Sequence, residues 1–396
     1  MPRLVVDIRR EIAAIAATGI AVLLVEQNLR TALRLADRVV VMERGRPPQG
    51  RHIMIEYPSL TVAAVHTASV FLDTEATVDK AIGIVAEAAS HGARLVVFPE
   101  SFIPGFPIWV ALAAPIHTHG MFKALAAQAI QVNGPEMARP RAAAKRHDVY
   151  VSMGFTEGTI ASVGCLWNSN ALIGPDGAVL NHHRKLVPTY YEKLIWANDD
   201  GAGPRVVETP IGRIGALICG ENTNPLARFS LMAQGEQLHT ATFPPIWPTR
   251  MPGEAGAYDL EQAIRIRCGA HAFEAKCLVV VASGVLDGRA MDQLLGLSPE
   301  APRVLEATPR AVSMVIGPDG QGIGHARKEE GILYADLDLS ACVEPKQFHD
   351  VAGYYNRFDV FRLEVDRSAR RPVTFCDASV PEEPLPLVPG DWMGAA

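Results

Sequence analysis

The chain has 396 residues, 48% of them hydrophobic and 20% charged, with a formal net charge of −6. That apolar share supports a sizeable core and excludes a disordered chain, while the acidic balance leaves no basic excess for nucleic acid. Six cysteines without a CxxC or other paired spacing exclude a disulfide framework and a zinc module. They fit a reduced, cytoplasmic setting in which one thiol is free to react.

The earliest apolar run, 12–25 (IAAIAATGIAVLLV), follows Arg9 and Arg10 as in a signal peptide. No small-x-small cleavage site follows it, and it is too short to cross a bilayer. It reads instead as a soluble helix at 9–17, a turn at Thr18-Gly19 and a buried strand at 20–25. Residues 46–50 (RPPQG) are a turn-rich linker, and a new pattern begins near Tyr57. Residues 60–65 (LTVAAV) predict a buried strand from their β-branched, apolar content. Ile82, Val85, Ala86 and Ala89 recur at helical spacing over 78–90, and Gly92 stops that helix before a strand at 95–98.

Further strands are predicted at 149–154, 171–173, 214–218, 278–282, 312–316 and 332–336, with helices at 122–130, 135–146, 225–234 and 260–274. Two segments echo each other, NALIGPDGAVL at 170–180 and SMVIGPDGQGI at 313–323; each reads as a hairpin about a PDG turn. Hairpins mixed with crossovers predict an α/β protein with sheets covered by helices, unlike a simple Rossmann alternation. The tail beyond 341, rich in Pro, Tyr and Phe, reads as packing on a neighbour.

Glu100, Lys185 and Cys219 follow predicted strands or a hairpin, beside turn-forming residues. Strand ends facing a crevice are where open α/β sheets place their sites. Singly, each has an ordinary explanation: a solvated carboxylate, an exposed lysine, a small core thiol. Their flanking words, FPESFIPGFP, HRKLVPTYYE and LICGENTNPLAR, resemble in that order the nitrilase branch of the carbon–nitrogen hydrolase superfamily. The match runs from about residue 60 to 339, and GYYNRFDVFRL in the tail is similar to that family's C-terminal region.

The resemblance implies a four-layer α-β-β-α sandwich at 57–340, an assembly tail at 341–396, and self-association into dimers and spirals. It makes Cys219 the nucleophile, Glu100 the general base, Lys185 the cationic stabiliser, and Glu192 a second glutamate orienting the lysine. The chemistry agrees independently. A nitrile or amide carbon is a weak electrophile, so the sulfur must attack as thiolate; a lysine favours that state and a carboxylate can take the proton. Negative charge growing on the substrate would be met by Lys185 and the backbone N–H of Gly220. No metal or cofactor is needed. Asn181-His182-His183 suggests a metal, but adjacent strand side chains face opposite ways, so the histidines read as structural.

Within the superfamily, Glu221 stands where amidase branches usually show Asp, which implies nitrile hydrolysis; an amidase or a nitrile-hydrating enzyme is the alternative. Gly220 replaces the Trp of many relatives, and NDDGAGPRVV departs from the usual wording through Pro204. Phe106, Trp109 and Tyr191, with Gly220, are the candidate substrate-binding residues. Separately, AATGIAVLLVEQNLRTALRLADRVVVMERGRPPQG within 1–50 resembles the end of an ABC transporter ATPase of the branched-chain amino-acid type. With no GxxxxGK[ST] loop or LSGGQ-type signature in the chain, nothing cradles a phosphate. That short α/β extension is expected to be non-functional; a non-catalytic, transporter-associated protein is the contrasting reading.

Overall fold

The computed structural model describes residues 57–256 and 258–369. The piece at 1–50 and the tail from 370 onward, with the expectations attached to them, lie outside the described residues.

Strand β1 (Ser59–His66) is apolar on both faces because both are covered. Val62 and Ala64 join one buried cluster, while Ala63 and Val65 join another. It pairs in parallel with β2 (Ala93–Val97), which pairs in parallel with β3 (Tyr150–Glu157). Antiparallel β4 (Trp167–Ile173) and β5 (Val179–Arg184) complete that edge.

The second sheet runs through β6 (Val207–Thr209), β7 (Gly212–Ile218), β8 (Leu238–Phe243), β9 (Leu278–Ser283), β10 (Ser313–Ile316) and β11 (Gly322–Arg327). Strand β12 (Gly331–Asp338) returns to lie antiparallel on β1. The two six-stranded sheets have the orders β12-β1-β2-β3-β4-β5 and β11-β10-β9-β8-β7-β6.

Alternation then dictates layers. Leu60, Val62, Leu95 and Val97 face Leu238, Leu278, Val280 and Val315 across the space between the sheets. Each such side chain, fully buried, contributes roughly 1.5–3 kcal/mol. The outer face of the first sheet carries α1 (Thr74–Ser90) and α3 (Pro135–His147), through Val78, Ala81, Val85, Met137 and Ala144; α2 (His119–Gln128) precedes α3. The outer face of the second carries α5 (Leu260–Ala275), whose Ile264, Cys268 and Ala272 cluster with Ala241, Phe243, Val279 and Val281. Helix α4 (Pro225–Met232) packs Ala227 and Leu231 on Leu217. This is the expected α-β-β-α sandwich.

Both PDG hairpins form, and they close alike: Gly174 N–H donates to Ala178 O and Gly317 N–H to Gln321 O, each at 2.8 Å. Strand β8 was not predicted. Its word LHTATF carries His239, Thr240 and Thr242, all buried, and polar residues inside a sheet conceal the apolar signal. Two short helices, α6 (Gly288–Leu294) and α7 (Ala301–Ala307), also escaped, being too brief for a clear period. Among the described residues Cys165, Cys219, Cys268, Cys277 and Cys342 are free thiols, and no helix is long and apolar enough to cross a membrane.

Candidate active site

Glu100 follows β2 and Lys185 follows β5, both on the first sheet, whereas Cys219 follows β7 on the second. Packing sheet on sheet brings the three together. The backbone is forced at each approach: Cys219 itself (φ 49°), Ser101 beside Glu100 (φ 47°) and Tyr190 between Lys185 and Glu192 (φ 51°) are left-handed. A non-glycine residue held so costs on the order of 1–3 kcal/mol and persists only where its surroundings fix it.

Lys185 is the hub. Its Nζ donates to Glu100 Oε1 at 2.7 Å and to both oxygens of Glu192 at 2.9 and 2.7 Å, and all three side chains are shut off from solvent. Glu192 Oε2 also accepts the Thr189 N–H at 2.7 Å, so it fixes the loop as well as the lysine. Glu100 Oε1 takes a second bond, from Asn168 Nδ2 at 2.7 Å, while Oε2 has no partner among the described residues. The Cys219 sulfur and one carboxylate oxygen each of Glu100 and Glu192 lie within 4.8 Å of one another. The Lys185 ammonium sits on both carboxylates and takes the place a cation would hold.

Charge decides the resting state. Two carboxyl groups share one ammonium in a buried site. Burial first, then Glu100 and Glu192, push the Cys219 thiol well above its usual range, against the opposing pull of Lys185. Lys185 does pull the thiol toward thiolate, as expected, but burial foremost, with Glu100 and Glu192, outweighs that pull at rest. Burial opposes the charge on Lys185, but Glu100 and Glu192 outweigh it and keep the ammonium protonated. Glu192 is raised, by burial first, with Lys185 opposing and Glu100 adding to the rise.

Glu221, noted in the sequence only as a branch marker, is a clamp. Its Oε1 accepts the Leu186 N–H at 2.6 Å; its Oε2 accepts the Ile218 N–H and His183 Nε2, each at 2.8 Å. One carboxylate thus ties the residue after the lysine to the residue before the cysteine. His182 bonds a different carboxylate, Glu157, at 2.7 Å, as opposite strand faces require. Gly220 lies against Thr189, and a Cβ added there would collide with the Thr189 side chain.

Of the candidate substrate-binding residues, Phe106 and Tyr191 share one wall of rings. Trp247 stands 4.4 Å from Tyr191 and 6.1 Å from Phe106 between centroids, and Trp196 is 5.5 Å from Phe106. Trp109 is elsewhere in the same apolar cluster, fully buried edge-on against Phe71 at 6.0 Å. Asn168, Trp196 and Trp247 were missed. Asn168 stands in a strand word, WNSNALI, that carries other polar residues beside it, so nothing singled it out. Trp196, eleven residues after Lys185, and Trp247 bear no charged or reactive group to mark them.

A carbon-nitrogen hydrolase family model matches residues 61–347. The chain belongs to the carbon–nitrogen hydrolase family. This hydrolase is similar to an arylacetonitrilase of Aspergillus kawachii, 33% identical over 81% of this chain and 96% of that one. A nitrilase of Paraburkholderia phymatum is 32% identical over 79% and 88%, and a cyanide hydratase of Botryotinia fuckeliana 35% identical over 80% and 85%. Among solved structures, the C. elegans NitFhit protein has TM-score 0.58 at 19% identity, covering 80% of the hydrolase and 69% of that chain. The Saccharomyces cerevisiae Nit3 structure has TM-score 0.57 at 16% identity, covering 74% and 95%.

Proposed function

We propose that this hydrolase is a nitrilase that converts an organic nitrile and two waters to the carboxylic acid and ammonia through a covalent bond to Cys219. The observation that carries this is the unequal use of Glu100. Oε1 is held by Lys185 and Asn168, which leaves Oε2, among the described residues, as an unclaimed acceptor beside the thiol.

The Cys219 proton passes to Glu100 as the sulfur bonds the nitrile carbon, and it then protonates the nitrile nitrogen to give a thioimidate. Glu100 takes a proton from the first water, whose oxygen adds to that carbon. The nitrogen, protonated in turn, leaves as ammonia and a thioester remains. A second water, again deprotonated by Glu100, releases the acid and restores the thiol. Lys185 and the Gly220 N–H face the charge that develops on nitrogen and then oxygen. Because the resting thiol is neutral, attack and proton transfer are coupled.

Nitrile-acting relatives at 32–35% identity and Glu221 at the branch-marking position support this reading. The ring wall of Phe106, Tyr191 and Trp247 supports an aryl-bearing nitrile. An amide product is the second reading, favoured by the cyanide hydratase likeness; it arises if the tetrahedral intermediate expels sulfur instead of ammonia. Mass spectrometry of products from aliphatic, aromatic and arylaceto-nitriles tests all of this. Acid and ammonia are expected, with arylaceto substrates fastest. Amide as the sole product, or full turnover by Cys219→Ala, overturns the proposal.

Self-association also belongs to this reading. A groove of about 1050 Å³ runs between α4 and the segment 351–367, away from the triad, lined by Phe229, Tyr354, Tyr355, Phe358 and Phe361. Those side chains, together with the family resemblance, support dimers and larger spirals.

A further inference from the structure

We propose that His239 is a buried imidazolium and, together with Asn222, the positioning pair that fixes the left-handed backbone of Cys219; this rests on Cys219 being the nucleophile. The two residues belong to a sealed chain of polar groups behind the second sheet. Glu236, just before β8, accepts from His239 Nδ1 and from His271 Nε2, each at 2.7 Å. His239 Nε2 meets Asn222 Oδ1 at 2.8 Å. Asn222 Nδ2 donates to the carbonyls of Leu217 at 3.2 Å and Cys219 at 3.1 Å. Glu236, His239, His271 and Asn222 are all buried.

The proton count follows from the far end of the chain. Two backbone carbonyls can only accept, so the Asn222 amide must turn its NH2 toward them and its oxygen toward His239. His239 Nε2 faces an acceptor and must therefore carry a proton. Its Nδ1 faces the Glu236 carboxylate and must carry one too. With both nitrogens donating, the ring is charged, and Glu236 is its counter-ion.

The remaining groups agree. His271 is held down to about 4, by burial first and then by the charge on His239 against the pull of Glu236, so it stays neutral and donates one N–H. Its Nδ1 has no partner among the described residues. Burial opposes charge on Glu236, but the two imidazoles bring it down to about 2. Besides these, Cys277, its thiol pushed well above normal by burial, and Arg228 of α4 act on the cluster. Glu236 closes against β7 where Gly215 leaves room; a Cβ there would strike its carboxylate.

The consequence is mechanical. Cys219 is strained, and the two carbonyls bracketing it are held by one amide whose orientation the charged ring enforces. His239 and Asn222 touch no reacting atom; they act through the cysteine backbone.

Nitrogen-15 NMR of histidine-labelled full-length enzyme at pH 8, with the His239 signals assigned by their loss in His239→Gln, reads the proton count directly. Two protonated nitrogens are expected where an ordinary histidine is neutral; a single-proton tautomer overturns the proposal. Asn222→Asp keeps the acceptor facing His239 but removes both donors to the carbonyls. Its kcat is expected to fall on the order of 10- to 100-fold with KM within about twofold. Unchanged kcat, or activity lost only in proportion to folded protein, overturns the positioning role. The wild-type spectrum stands whether or not the variants fold. Turnover by Cys219→Ala would refute the nucleophile while leaving that spectrum interpretable.

Discussion

Replacing Glu192 by Gln separates the two duties of the buried cluster, because reactivity of the thiol and turnover should move in opposite directions. Glu192 accepts two bonds from Lys185 and one from the Thr189 N–H. A carboxamide offers one acceptor oxygen, and its NH2 then faces either the ammonium or Thr189, donor against donor. Lys185 is left held by Glu100 alone and swings from where charge develops. Displacing such a stabiliser costs about 10²–10³-fold in kcat.

The thiol responds otherwise. A Glu192 oxygen lies within 4.8 Å of the sulfur. At an effective dielectric near 20, a unit charge at that distance repels a thiolate by roughly 3 kcal/mol. Gln removes that repulsion, and side-chain rearrangement returns part of the gain. Iodoacetamide labelling of Cys219, followed by mass spectrometry at fixed pH near 8, should therefore accelerate by at least about tenfold, since labelling tracks the thiolate fraction. Turnover and labelling falling together would refute the charge argument, as would labelling at the wild-type rate.

Breaking the Glu221 clamp with Glu221→Ala leaves His183 and two backbone N–H groups unpaired in a buried site. A loss of about 3–5 kcal/mol is expected in urea unfolding, with Glu221→Gln intermediate. Glu157 is opposed by burial, but Arg184 and His182 bring its carboxyl from 4.5 down to about 2, worth roughly 3 kcal/mol. A depressed carboxyl stabilises above its unfolded value, so this contribution is whole above about pH 5 and disappears as pH falls toward 2. Acid unfolding of Glu157→Gln should lack that segment of the pH dependence; an unchanged profile refutes it. Gly220→Ala drives a methyl into the Thr189 side chain. Its kcat should drop about tenfold and recover in Gly220→Ala/Thr189→Gly; no recovery in the double variant would place the damage elsewhere.

The sandwich was legible because the strands covered on both sides read as unbroken apolar runs, and because the PDG turns declared two hairpins. The grouping of Glu100, Lys185 and Cys219 was legible because each sits in a local word at the end of a strand. What lay hidden was whatever depends on contacts between distant segments. Asn168 and Glu100 are far apart in sequence, and only the pairing of β3 with β4 explains why a carboxamide should sit in that strand. Strand β8 was concealed by its buried polar residues: His239 weakens the hydrophobic pattern and at the same time links Asn222 to Glu236. The raised thiol of Cys219 was hidden because it comes from burial first and from Glu100 and Glu192, which distant segments bring to it.

In the proposed mechanism the nucleophile, Cys219, rides on one sheet and the base and lysine, Glu100 and Lys185, on the other, so the reaction itself would measure how well the two halves are docked. A slip of about one ångström between the sheets would leave every strand hydrogen bond intact and circular dichroism unchanged, yet carry the sulfur out of reach of Glu100. Catalysis is thus a finer gauge of the apolar layer between the sheets than any probe of secondary structure. Residues such as Val97 and Val280, which touch no substrate, hold the tolerance within which the chemistry can run.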